Sequence, residues 1–212
     1  MKIGIVGASG KAGRLILKEA LDRGHEVTAI VRDHSKVTAE VPVIEKDIHD
    51  LTREDIQHFD VLVNAFGAPL GNSQGHIDAG RALIKLVEGT DIRLIVLGGA
   101  GSLYTDDSKT VKVVDAPDFP DVIKPTASGQ AQNLDELRQT TDVNWTFLSP
   151  AGFFDPEGAR TGSYQLGQDV LLMNSKGESY ISYADLAIAM VDEIEHAAHL
   201  KQRFTVVGER LN

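Results

Sequence analysis

A short apolar run, Ile3 to Val6, stops at Gly7 and opens into Gly7-Ala8-Ser9-Gly10-Lys11-Ala12-Gly13. Past that turn, Gly13, Ile16, Leu17, Ala20 and Leu21 fall on one face of a helix, and Gly24 stands where a helix stop belongs. A buried strand, a glycine turn and a helix in immediate succession predict the first unit of a parallel sheet with helical crossovers.

The rest of the chain keeps that rhythm. Apolar runs at Val27 to Val31, Val41 to Glu45 (weaker), Asp60 to Phe66, Ile92 to Leu97, Trp145 to Leu148 and Phe204 to Val207 read as further strands. Helical patterns lie between them at Gln74 to Glu88, Ser128 to Arg138 and after Ser182, where Ser182 and Asp185 resemble a capping box. Strands that are apolar throughout imply a sheet covered on both faces. The expected fold is therefore α/β, a Rossmann-type doubly wound parallel sheet in one domain spanning residues 1–212. Two stretches break the rhythm. Gly98 to Pro125 is long and polar, and Gly152 to Tyr180 suggests a small hairpin or cap with a turn near Asn174-Ser175-Lys176-Gly177. Both would leave the carboxyl ends of strands, where open α/β sheets bind ligands, and they are expected to wall a substrate cleft.

The spacing of the turn, G-x-x-G-x-x-G, differs from the usual dinucleotide fingerprint but meets the same demands. Gly7 permits the turn, Gly10 lets backbone N–H groups approach a pyrophosphate at the helix N-terminus, and Gly13 lets the helix pack closely. Ser9, Lys11 and Ala12 complete the cradle. The second strand ends in Val31-Arg32, with Ser35 and Lys36 following and Lys11 in the turn. Cations there suit a 2′-phosphate, which favours NADP(H) over NAD(H); Asp33, next door, offers the alternative of a ribose 2′-hydroxyl.

Taken together, GASGKAG at 7–13, Asp47-Ile48, Asn64-Ala65-Phe66-Gly67, GGAGS at 98–102, WTFLSP at 145–150 and ISYADLA at 181–187 resemble the atypical short-chain dehydrogenases. Within them the chain is similar to the bacterial NADH-flavin reductase family, itself similar to mammalian biliverdin reductase B. The resemblance implies that Asp47 and Ile48 flank the adenine, and that Ala65, Phe66 and Gly67 pass along the ribose and pyrophosphate. It also implies that Ala100, Gly101 and Ser102 face Pro150, Ala151 and Phe153 across the nicotinamide cleft. The chain departs from the family's alcohol dehydrogenases, because none of Tyr104, Tyr164, Tyr180 and Tyr183 has lysine four residues on. Alcohol–ketone chemistry is thereby disfavoured. A flavin or quinone, already electrophilic, asks for proximity more than for a general acid. Ser102 as hydrogen-bond donor and Tyr104 as stacking partner are the expected acceptor contacts.

Composition narrows the remaining classes. Cysteine is absent, which removes thiolate catalysis and cysteine-ligated metals, and no metal site is expected from His196 and His199. A formal net charge of −10 argues against non-specific nucleic-acid binding. No run approaches the ~18 apolar residues of a membrane span, so a cytoplasmic protein is expected. Neither a G-x-S-x-G elbow nor a Walker pattern is present. The expectation is an NAD(P)H-dependent reductase of a small planar acceptor, with flavin as substrate rather than resident cofactor. A non-catalytic NADP(H)-binding redox sensor is the alternative.

Overall fold

The computed structural model describes residues 1–211. In chain order it holds β1 (Lys2–Val6), α1 (Lys11–Asp22), β2 (Glu26–Val31), β3 (Val43–Glu45), a short α2 (Arg53–Ile56), β4 (Val61–Asn64) and α3 (Ser73–Val87). There follow β5 (Arg93–Leu97), α4 (Lys124–Gln139), β6 (Asn144–Ser149), β7 (Phe153–Asp155), β8 (Gln165–Gly167), β9 (Tyr180–Ser182), α5 (Tyr183–His196) and β10 (Gln202–Val207). The main sheet has eight strands in the order β3-β2-β1-β4-β5-β6-β10-β8, parallel except for β8, which runs antiparallel to β10. The order reverses between β1 and β4, so the doubly wound Rossmann-type sheet has its switch point beside the glycine turn.

Alternation along the central strands feeds two cores. Ile3, Ile5, Val63 and Ile95 point to the face covered by α1 and α5, while Val6, Leu62, Leu94 and Val96 point to the face covered by α3 and α4. Each such buried aliphatic side chain contributes roughly 1.5–3 kcal/mol of transfer free energy. Polar groups tie the layers together. Arg93, at the start of β5, donates from Nη2 to the carbonyls of Glu193 (2.7 Å) and Ile194 (2.8 Å), which satisfies acceptors at the end of α5. Ser182 caps α5 by accepting from the Asp185 N–H at 3.0 Å. The carboxylate of Asp185 does not close a reciprocal box. It is fully buried and accepts instead from the backbone N–H groups of Thr161 and Gly162, each at 2.9 Å, pinning that loop to the helix.

The 152–180 region differs from a simple hairpin. Its turn closes at Asn174–Gly177, but β7 pairs in parallel with β9, and β8 joins the edge of the main sheet. The 98–125 segment carries two 3-10 turns, Ala100–Ser102 and Val113–Asp115, and α4 begins earlier than its alanine-rich stretch suggests, with Pro125 in its first turn. Among the described residues, no helix is long and apolar enough to cross a membrane.

Candidate active site

The glycine turn shows why so few residue types fit it. Gly7 holds φ +78°, and a Cβ there would sit 2.6 Å from the Ala65 carbonyl oxygen. A Cβ on Gly13 would lie 2.2 Å from the Gly7 carbonyl oxygen, so α1 can begin against the turn only if this position is bare. Gly10, the N-cap of α1, has no side chain to cap the helix. The N–H groups of Lys11, Ala12 and Gly13 therefore lack an intrahelical acceptor at a positive helix end. That is a cradle for a pyrophosphate, and it fits a dinucleotide.

From this cradle a cavity of about 620 Å³ runs over the carboxyl ends of the strands. Ser9, Gly10, Lys11, Ala12, Arg32, Asp47, Ile48, Ala65, Phe66, Gly67, Ala100, Gly101, Pro150 and Ala151 all line it, together with Gly7. The adenosine end is set by β2 and β3. Arg32 is exposed there and pairs with no other group among the described residues. Asp33 is occupied elsewhere: it accepts from the Ser35 N–H (3.1 Å) and hydroxyl (2.6 Å), and it pairs with Lys36. The Ser35 hydroxyl, then Lys36, hold its carboxyl below the usual value of 3.8. It does not line the cavity. Lys46 is on the wall but is already held by Asp55 at 2.7 Å.

Four of the expected site residues lie off the cavity wall. Gly13 packs under the turn rather than on the cavity wall, as its clash geometry requires. Phe153 faces away from the cleft, 52% exposed, under the Arg210 guanidinium at 5.6 Å; Phe154 takes the wall. Alternation along β7, fixed by its pairing with β9, decides which of the two neighbours points inward. Ser102 is buried behind its turn, and its Oγ accepts from Arg203 Nη1 at 3.2 Å. Tyr104 sits in backbone pairing with Asp169 and Leu171, off the cavity lining. Neither Ser102 nor Tyr104 lines the cavity, and both hold the loop.

Arg203 anchors that loop from below. Its side chain is 1% exposed and forms a two-point pair with Asp169, at 2.9 and 2.5 Å. Burial is the largest single influence and pushes the Asp169 carboxyl up, but the hydrogen bonds and charges of Arg203 and Lys109 together hold the group below 3.8. Asp169→Ala would leave a buried guanidinium uncompensated, and a loss of about 3 kcal/mol in urea unfolding is expected. A loss under about 0.5 kcal/mol would mean that Arg203 is solvated in some other way.

Several wall residues were not among the expected site residues. Phe154 and Tyr183 stack at 3.7 Å between ring centres and form one side; Phe119, Ile123, Thr126 and Ala127 form the other. Burial raises the Tyr183 hydroxyl above its ordinary 10.0, the reverse of what a proton-transferring tyrosine requires. His76 and Gln130 lie at the floor. Nε2 of His76 is buried without a hydrogen-bond partner, and burial lowers its pKa below 6.5. Below pH 6.5 the unfolded chain binds a proton there that the folded one refuses, so this contribution to stability falls as the pH drops. His76→Gln should flatten the fall in unfolding free energy between neutral and acid pH; an unchanged slope would refute this role. Among the described residues, no three His, Cys, Asp or Glu side chains gather as a metal site.

Comparison with known proteins agrees with the geometry. The family model described as NAD(P)H-binding matches residues 7–197. The uncharacterized protein YwnB of Bacillus subtilis (strain 168) is 59% identical over 211 residues, 99% of each chain. A crystal structure from Streptococcus pneumoniae TIGR4, provisionally assigned as an NADH-flavin reductase, is 46% identical with a TM-score of 0.94, over 99% of this chain and 100% of that one. One from Bacteroides thetaiotaomicron, provisionally assigned as an epimerase, is 33% identical with a TM-score of 0.89, over 100% of this chain and 98% of that one. With a pyrophosphate cradle at the first βα turn and a cleft across the switch point, the chain belongs to the NAD(P)H-binding family, in its atypical short-chain dehydrogenase branch.

Proposed function

We propose that this chain is an NAD(P)H-dependent oxidoreductase that prefers NADPH and reduces a small planar acceptor such as a flavin or quinone. The observation that carries the reading is the cavity itself, which runs from the unpaired Arg32 to the stacked Phe154–Tyr183 wall without a lysine-activated tyrosine between them. The bound cofactor supplies a hydride from its reduced nicotinamide. The α1 N-terminus holds the pyrophosphate, Arg32 pairs with the 2′-phosphate, and the aromatic wall orients the acceptor and excludes water. In the balance the acceptor gains one hydride and one proton, the proton coming from water. The name of the Streptococcus relative supports the reductase class, although it specifies NADH.

Loss of absorbance at about 340 nm with NADPH or NADH, against menadione, riboflavin and FMN, tests the proposal. Saturable oxidation with a lower KM for NADPH is expected. Tight NADPH binding without turnover would replace the reductase with a redox-sensing role.

A further inference from the structure

Beneath the floor of the cleft, two residues with orphaned polar atoms share one small cavity. Nε2 of His76, on α3, and Nδ2 of Asn133, on α4, are buried without a hydrogen-bond partner, in residues only 9% and 4% exposed. Both residues line a cavity of about 10 Å³ at the carboxyl ends of β4 and β5, the space of about one water. The Asn133 amide packs against α3 one turn beyond His76, since a Cβ on Gly80 would meet its Nδ2 at 2.0 Å. No charged side chain lines this space.

The lining chemistry selects the occupant. Nδ2 of Asn133 can only donate, so what sits there must accept. Asn64 lines the same space, and its Oδ1, which takes the Phe66 N–H at 3.1 Å, has a lone pair left for a second donor. One water meets every demand: it accepts from Asn133 and donates to Asn64 and to a bare Nε2 of His76, three bonds, the usual number for a buried water.

His76 connects this space to the cleft, because it lines both. Its Nδ1 bonds to no group among the described residues and, unlike Nε2, is not sealed off. Phe66 holds the ring edge-on, 6.1 Å between centres. Burial disfavours the imidazolium, so the ring carries one proton, and a bare Nε2 places it on Nδ1.

We propose that Asn133 and one bound water fix the tautomer of His76, and that His76 thereby presents an Nδ1–H donor to a carbonyl or carboxamide oxygen at the cleft floor. The identity of that oxygen rests on the reductase reading above: it belongs to the nicotinamide or to the acceptor ring. His76 is then a binding residue, and Asn133 a positioning residue that acts through it.

Long-range proton–nitrogen correlation spectra at a pH of about 7.5, above the imidazole range, test the tautomer. With His76 assigned by its loss in His76→Gln, a protonated Nδ1 and a bare Nε2 are expected; the opposite pattern would overturn the proposal. Asn133→Leu, similar in shape, should erase the preference, and an unchanged pattern there would remove Asn133 from the account. If that variant does not fold, the pattern in the parent protein still decides. Binding tests the donor. His76→Leu should weaken NADP⁺ about tenfold, the effect of one lost hydrogen bond, while adenosine 2′,5′-bisphosphate binds unchanged, if the oxygen is the carboxamide. If it is the acceptor's, riboflavin binding to the NADP⁺-saturated protein falls by about that factor instead. His76→Asn, whose amide can reach the Nδ1 position, should restore part of the loss. No loss for either ligand would overturn the proposal. If the parent turns over neither riboflavin nor menadione, the reductase reading fails, while the nitrogen pattern and the NADP⁺ titration still decide this inference.

Discussion

Arg32→Glu is expected to raise the dissociation constant of NADPH by about two orders of magnitude, while NADH binds unchanged or somewhat more tightly. Arg32 is the lining cation of the adenosine end left without a partner among the described residues, since Lys46 is held by Asp55. Charge-assisted hydrogen bonds to a phosphate are each worth roughly 1.5–3 kcal/mol, and reversing the charge adds repulsion to their loss. A glutamate at the end of the second strand can accept from a ribose 2′-hydroxyl, so NADH escapes the penalty. Calorimetric titration of both cofactors against both proteins checks this. If NADPH affinity were unchanged in the variant, Arg32 would have no part in reading the 2′-phosphate.

Gly13→Val should abolish cofactor binding and destabilise the domain by more than about 3 kcal/mol, enough to lose most soluble protein. The new Cβ would lie 2.2 Å from the Gly7 carbonyl oxygen and 3.0 Å from the Ala8 Cα, and both are backbone atoms. Neither can move without shifting the whole turn, whose Gly7 also stands against the Ala65 carbonyl of the neighbouring strand. Gly10→Ala is the informative contrast. Its Cβ meets the Gly7 oxygen at 3.2 Å, and its φ of −73° suits any residue, so the fold should survive while the cradle becomes crowded. Thermal unfolding by circular dichroism separates the two variants. A Gly13→Val protein that melts like the parent would show that the helix can start elsewhere.

Much of this architecture could be read from the residues. The central strands announce themselves because both faces are buried, and uninterrupted apolar runs such as 94–97 result. The glycine turn was legible because its requirements are local: a positive φ at Gly7 and bare carbons where backbones touch. Other features were illegible because distant parts of the chain decide them. Which of Phe153 and Phe154 faces the cleft depends on pairing with β9. Ser102 looks like a loop hydroxyl aimed at a ligand until Arg203, from the last strand, is placed behind it. His76 reads as an ordinary helix residue, and its place at the cleft floor comes from packing of α3 beside α4 and the ends of β4 and β5.

The reductase reading requires that a hydride pass directly from nicotinamide to acceptor ring within the cleft. The most direct test mixes the protein with NADPH carrying deuterium at both C4 positions and with 5-deazariboflavin, an uncharged acceptor whose reduced ring carbon does not exchange with water. Mass spectrometry of the reduced acceptor then reports where the hydrogen came from. One deuterium per reduced ring is expected. A reduced acceptor carrying only solvent hydrogen, or no reduction by a protein that binds NADPH tightly, would contradict it.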